Sequence, residues 1–539
     1  MAPIFVGPTD DDSKIRDNRI GFAISTANPG TASEGDIYFN STDKQLRGYD
    51  GSAWAAIGGG GGGTAEFTVS GSLSDGQTVI LKSDGNVAGI TTSQITQGLG
   101  SLTRFEDGYT NYVSSAYDSN SGRLVIVYSD ADDSDKGKAI VGTVDADNST
   151  ITFGTPVVFE TTSTAYTNVT FDSNANKFLI AYQEGGGNQY GKARVGTVDP
   201  SDNSISFGTE VQFVSEASDI VGTFDSSNNK IVLAYRDNNN YGAAIVGTIS
   251  GTDVSFGSVA QFQGSDSRNP DITFDSTNNK VVIAWRHLSN SHYGTAIVGT
   301  VSGTSISFGS AVVFESARSE YIKLAFDPDN GKVLVAYRDA GNSNKGTYIV
   351  GTVSGTSISF GTAGYFEDAN SDHIGLGYDE NTNKFVIAYG DVGNSDAYTI
   401  NNGTLSGTTV TWGTPQLVTG ATSGRGSLSS VVYASDVKRI TVAYRNNAVS
   451  GVGSAFVYRN AYLDTTLTST NFLGFSDAAY TNGQSATIQM VGAVDDAQTG
   501  LTTATRLFVQ KDGSLGTTAD TPSVFAGTAI SATKIIVRK

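Results

Sequence analysis

A unit of about 52 residues recurs along most of the 539-residue chain, and no other feature constrains the fold as strongly. Its clearest copy runs from Asp271 to Phe314, DITFDSTNNKVVIAWRHLSNSHYGTAIVGTVSGTSISFGSAVVF. The phase is carried by the aromatic-Asp pairs Tyr117-Asp118, Phe171-Asp172, Phe224-Asp225, Phe274-Asp275, Phe326-Asp327 and Tyr378-Asp379, spaced by 54, 53, 50, 52 and 52 residues. A Gly-Thr marker keeps step with them at Gly142, Gly196, Gly247, Gly299, Gly351 and Gly403. Two markers in register describe a repeated structural unit rather than a compositional bias.

Each unit reads as four short strands. Asp271 to Phe274 alternates polar and apolar residues, DSTNNK supplies turn chemistry, and Val281 to Trp285 is an unbroken apolar run suited to a strand covered on both faces. Thr295 to Val301 forms the third strand, SGTS turns the chain, and Ile306 to Phe314 forms the fourth with a Gly in its interior. Four strands at this period, with no helical pattern between them, indicate propeller blades, with a capped solenoid as the competitor.

The seventh copy separates the two. It begins near Val431 and carries Ile440 to Tyr444 and Ala455 to Tyr458, but no fourth strand follows. Upstream of the first full unit, Leu99 to Glu106 aligns without a gap on Phe153 to Glu160, so the missing strand lies at the other end of the repeats. Pairing it with the last unit closes a ring and removes both exposed edges. The expected fold is all-β: a seven-bladed β-propeller closed by the strand Leu99 to Phe105, plus a small β domain and an N-terminal β-hairpin anchor. The divisions expected are residues 1–57, a poly-Gly linker at 58–63, the first part of a small β domain at 64–94, the propeller at 95–463 and a C-terminal β domain at 464–539.

The flanks support these boundaries. Gly35 to Tyr49 reads as a hairpin ending on Trp54, and such a hairpin alone is marginal in water. Six glycines, Gly58 to Gly63, form a flexible tether. Gly76 to Leu81 with Asp84-Gly85 is matched by Gly483 to Ile488 with Asp512-Gly513, so 64–94 and 464–539 are expected to fold together around the inserted ring.

Composition excludes several classes. A formal net charge of -19 repels phosphate backbones, so no nucleic-acid partner is expected. Without Cys there is neither a disulfide nor a thiolate metal site. The N-terminus lacks a charged leader followed by an apolar run, and no stretch approaches membrane-spanning length, so neither Sec export nor membrane insertion is expected.

The string GDIYFNSTDKQLRGYDGSAW resembles the N-terminal attachment segments of phage tail-fibre and other virion proteins. The string from Asn471, NFLGFSDAAYTNGQSATIQMVGAVDDAQTGLTTATRLFVQKDGSLGTT, followed by PSVFAGTAISATKIIVRK, is similar to a terminal module of marine, cyanophage-like structural proteins, and the repeats resemble those of phage propeller proteins. The resemblance implies a virion structural protein on the tail or capsid surface, attached to other virion proteins through residues 1–57. It further implies a homotrimer, as in fibres of this kind. The expected role is that of a fibre or spike component recognising a host receptor or glycan. A decoration or connector protein and a glycan depolymerase of sialidase type are the alternatives.

The candidate site comes from the loops. Loops within the first and last hairpins of a unit share one face and are short and nearly constant, whereas those between strands two and three, and those between consecutive units, share the other face and vary; between strands two and three they read SDADDSDKGK, QEGGGNQYGK, RDNNNYGA and RHLSNSHYG. Variable loops on a constant scaffold are where recognition residues reside. Just after the strand-two aromatic stand Arg236, Asp237, Arg286, His287, Arg338, Asp339, Asp391 and Arg445, proposed as a polar funnel for glycan hydroxyls. The competing role for each is to stabilise its own loop or the adjacent unit.

The Asp residues opening each first hairpin read as Asx turns rather than calcium ligands. The strand-two aromatics Tyr128, Tyr182, Tyr235, Trp285, Tyr337, Tyr389 and Tyr444 read as packing rather than sugar platforms. Asp132, Asp133 and Asp135 form an acidic loop, read as solvated. Only three His are present, and no GxSxG, HExxH or phosphate-binding Gly loop appears, so no catalytic residue, metal or cofactor is assigned and no enzyme activity is expected.

Overall fold

In the computed structural model, residues 63–187, 189–422 and 429–538 are described, together with 23–28, 30, 37–40, 42, 45–49 and 52–56 of the N-terminal part. Most of the poly-Gly tether therefore lies outside the described residues. The chain is all-β and divides into two compact units, residues 96–461 and residues 1–95 with 462–539. No helix among the described residues is long and apolar enough to cross a membrane.

In the larger unit one antiparallel pattern recurs at every sequence copy. In the copy around Trp285, Ala260–Asp275 pairs with Lys280–His287, which pairs with Tyr293–Ser302, which pairs with both Ser305–Phe308 and Val312–Asp327. The incomplete last copy, Ser430–Ala434, Arg439–Asn446 and Val452–Arg459, receives its missing strand from upstream of the repeats. Leu99 pairs with Tyr458, and Thr103 pairs with Ala455.

The crossings between units differ from the loops that the sequence suggests. Thr103–Asp118, Val157–Asp172, Ala260–Asp275, Val312–Asp327 and Gly364–Asp379 are each one 16-residue strand. The first half of each closes one unit and the second half opens the next, with the register shifting at bulges between them. A bulge absorbs the bend that a loop would otherwise make. Variation is therefore concentrated between strands two and three.

The second strands are the core of each unit. Val281, Val282, Ile283, Ala284 and Trp285 are fully buried, as an apolar run covered on both faces requires. Val281, Ile283 and Trp285 pack with Val232, Ala234 and Val246 of the preceding copy, so hydrophobic burial joins neighbouring units face to face. The hairpin Asp residues act as Asx turns: Asp275 Oδ1 accepts from the backbone nitrogens of Thr277 and Asn278 at 3.0 and 2.9 Å.

The strand-two aromatics are packing residues with a polar tip. Tyr128, Tyr337 and Tyr389 donate their hydroxyls to Glu106, Glu315 and Glu367 of the preceding unit at 2.9, 2.9 and 2.8 Å, and Tyr182 reaches Glu160 at 3.2 Å. Tyr235 faces Val214 in the corresponding place, and its buried hydroxyl has no partner among the described residues. Tyr337→Phe is therefore expected to cost about 1–2 kcal/mol, because Glu315 loses its donor, whereas Tyr235→Phe should be neutral or stabilising. Urea denaturation of the two variants side by side checks this.

The smaller unit holds two five-stranded sheets. In one, Thr64–Thr68 pairs with Ser485–Gln489, and Thr78–Leu81 pairs with Phe472–Ser476, so segments from both ends of the chain share a single sheet. The second is built from the C-terminal segment, with Val524–Ala529 between Arg506–Val509 and Ile535–Val537. The matched phrases fold alike: Gln77 Oε1 accepts from Ser74 N at 2.8 Å and Gln484 Oε1 from Thr481 N at 2.7 Å. In the N-terminal part, Ile37–Asn40 and Gln45–Tyr49 form the expected hairpin, which gains a strand on each side, Ala23–Ser25 and Trp54–Ala56.

Candidate ligand site

The bulges that carry the chain between units also build the site. In six first strands the register shifts at the same point, between Asn111 and Ser114, Ala165 and Asn168, Ser218 and Val221, Arg268 and Asp271, Glu320 and Lys323, and Asp372 and Gly375. Each bulge holds one non-glycine residue in the left-handed region: Tyr112, Tyr166, Asp219, Asn269, Tyr321 and His373, with φ between 49° and 51°. That conformation costs an L-residue about 1–2 kcal/mol, so six equivalent instances represent strain spent on re-aiming side chains.

All six side chains converge. They line one cavity of about 370 Å³ together with Arg286, Arg318 and Glu320. A second cavity of about 220 Å³ shares Val113, Thr167, Ile220 and Val221 with the first and continues it. It is lined by residues from the first strand of every copy, including the partly buried ion pair of Lys323 and Asp271 at 3.3 Å.

Aromatic rings stand in two pairs around the main cavity. Tyr112 and Tyr166 have centroids 4.9 Å apart, and Tyr321 and His373 are 5.0 Å apart. Burial, then the charge of Asp219, pushes the Tyr166 phenol up to about 12. Asp219 Oδ2 accepts from the Asn269 backbone at 3.2 Å. Burial raises its carboxyl above the usual range, against the opposing pull of that hydrogen bond and of Arg236, Arg268 and Arg286.

Beside Tyr321 stands a guanidinium cluster. Glu320 accepts from Arg286 Nη1 at 2.9 Å and Arg318 Nε at 2.8 Å on one oxygen, and from Arg338 Nε at 3.0 Å on the other. The Arg338 guanidinium also lies 4.9 Å over the ring of Tyr321. Burial alone would raise the Glu320 carboxyl, but hydrogen bonds from Arg338 and Arg318 hold it below the usual value.

Of the eight residues singled out from the sequence, Arg286 lines the cavity and Arg338 reaches it through Glu320 and Tyr321. Arg236 pairs with Asp266 at 3.3 Å. Asp237 accepts from the backbone of Asn239 and Tyr241 at 2.9 and 2.8 Å, and Asp339 from that of Gly341 at 2.9 Å. His287 Nε2 lies 2.8 Å from Ser265 Oγ, and burial lowers its imidazole. Asp391 precedes the short turn Val392–Asn394, and burial raises its carboxyl. Arg445 is buried, donates to Asn111 Oδ1 at 2.6 Å and lies 4.7 Å over Tyr109. Asp237 and Asp339 serve their own loops, whose tight turns leave backbone N–H groups needing an acceptor.

The acidic loop is likewise occupied by protein cations. Asp133 is 2.9 Å from Lys136 Nζ and 3.5 Å from Lys138 Nζ, and the described residues hold no cluster of His, Asp or Glu arranged for a metal. The six bulge residues escaped the sequence reading. Their signal is a fixed offset, five residues before the aromatic of each aromatic-Asp pair.

The chain matches no family model and no curated protein. Among solved structures it is similar to a lectin of Burkholderia pseudomallei at 8% identity and TM-score 0.49, covering 71% of this chain and 99% of the lectin. It is also similar to a periplasmic gluconolactonase of Pseudomonas aeruginosa at 13% identity and TM-score 0.40, covering 67% and 99%. A third, AofleA of Arthrobotrys oligospora, gives 10% identity and TM-score 0.39, covering 64% and 95%. At these scores neither ligand nor reaction carries over to this chain.

Proposed function

We propose that the repeats form a closed seven-bladed β-propeller that binds a carbohydrate in the cavity lined by its bulge residues, without turning it over. The observation that carries this reading is the chemistry convergent at the bulges. Tyr112 and Tyr166 offer apolar faces for the C–H side of a sugar ring, while Asp219, Asn269 and Arg286 offer charged and amide groups for its hydroxyls. A volume of about 370 Å³ falls within the range of small-ligand sites. Six strained residues at one position make a poor scaffold unless their direction serves a ligand.

We further propose, on the resemblance of GDIYFNSTDKQLRGYDGSAW and of the C-terminal string to virion proteins, that the chain is a phage fibre or spike component. Residues 1–57 would attach it to other virion proteins, and the propeller would present its cavity to a host glycan.

Isothermal titration of the full chain against a panel of bacterial surface oligosaccharides tests the binding reading. A saturable ligand is expected, with Tyr166→Ala weakening it by roughly tenfold or more, about 1.4 kcal/mol for a lost stacking face. Failure of the whole panel to bind, or release of shortened oligosaccharides during incubation, would overturn it.

A further inference from the structure

We infer that the sugar recognised in this cavity is acidic, its carboxylate seated against Arg268, Arg286 and Arg318. This inference rests on the carbohydrate reading above. The first observation is a register that ought to be unfavourable: Arg268 stands directly across the sheet from Arg286. Like charges directly opposite one another destabilise a strand pair. The equivalent pairs in other copies are complementary or neutral, Glu320 with Arg338, Ser218 with Arg236 and Asp372 with Gly390.

The second observation is a shortage of negative partners. Glu320 is shared among Arg286, Arg318 and Arg338, so one carboxylate serves three guanidiniums. Arg268 is exposed and has no ion pair within 4.0 Å among the described residues, while Arg318 keeps 53% of its side chain accessible. Arg286 Nε is buried without any acceptor among the described residues. The other carboxylate lining the cavity, Asp219, accepts from the Asn269 backbone and forms no ion pair within 4.0 Å among the described residues. A ligand carboxylate would supply the missing acceptor and relieve the repulsion, in the planar geometry that guanidinium groups bind best.

The test compares an oligosaccharide ending in glucuronic acid with the same oligosaccharide after carboxyl reduction to glucose, titrated against the full chain. The acidic form is expected to bind roughly tenfold or more tightly, with the gap shrinking as salt screens the charges. Arg318→Ala and Arg268→Gln, both at exposed side chains, should weaken the acidic form more than the reduced one, so that the two affinities converge. Arg268→Gln should also raise stability of the unliganded chain in urea, since it removes the repulsion with Arg286. Equal binding of the two sugars, unmoved by either variant, would overturn the acidic ligand and leave the sugar reading standing. Binding of neither sugar, with no other glycan bound, would overturn both.

Discussion

Glu320→Ala is expected to destabilise the chain by about 3–5 kcal/mol, more than any other single change at the cavity. The carboxylate is largely buried and bonds Arg286, Arg318 and Arg338 at once. Removing it leaves three neighbouring cations, two of them mostly buried, without the carboxylate they share. Urea unfolding of the full chain measures the loss, and a cost under about 1 kcal/mol would mean that water already solvates the guanidiniums independently.

The same residue gives the stability a pH dependence of known sign. Its carboxyl is held below the ordinary value of 4.5 in the folded chain, so folding favours the ionised form. The stabilisation is complete above that value and disappears as pH falls through the lower folded value. The gap between wild type and Glu320→Gln should therefore be full at neutral pH and close progressively below about 4.5. A gap that stays constant down to pH 3 would contradict this assignment.

This cluster also marks where the sequence stops being legible. Strand-two residues such as Val281 to Trp285 announce themselves by an unbroken apolar run, and the hairpin Asp residues by turn chemistry. The upstream partner of the last copy follows from alignment alone, and the pairing of Thr103 with Ala455 lies within it. Arg286 was visible because it follows a strand whose end is clear. Arg318 and Glu320 were not, because they lie in a segment that reads as a loop between two strands and is instead the middle of one.

The reason is physical. A bulge inserts a residue that breaks the period of two, so alternation fails at the point where the strand continues. Left-handed backbone is usually flagged by Gly or Asn, yet Tyr112, Tyr166, Tyr321 and His373 adopt it here. No propensity marks those four residues. Only their constant distance from the aromatic-Asp pairs does, and that distance becomes meaningful once the bulge is known.

Gly309→Ala is expected to cost about 3 kcal/mol although it adds a single methyl group. The glycine sits where the short strand Ser305–Phe308 gives way to Val312–Asp327, and its backbone nitrogen is held by Val298 O at 2.9 Å. A Cβ there would stand 1.8 Å from the backbone oxygen of Thr356 in the SGTS turn of the next copy, and neither backbone can yield without breaking ladder hydrogen bonds. The same approach recurs at Gly257 against Thr304 and at Gly208 against Thr252, at 1.8 and 1.9 Å. It recurs once more at Gly100, where a Cβ would meet Ser149 O at 1.8 Å. Gly100 belongs to the upstream segment that completes the last copy, and Ser149 to the turn of the first. The junction between the two ends of the repeat array is thus packed like the junctions inside it. If it carries equal load, Gly100→Ala and Gly309→Ala should lower the unfolding midpoint alike, each in a single transition. A Gly100→Ala variant as stable as wild type would show that the two ends merely lie side by side.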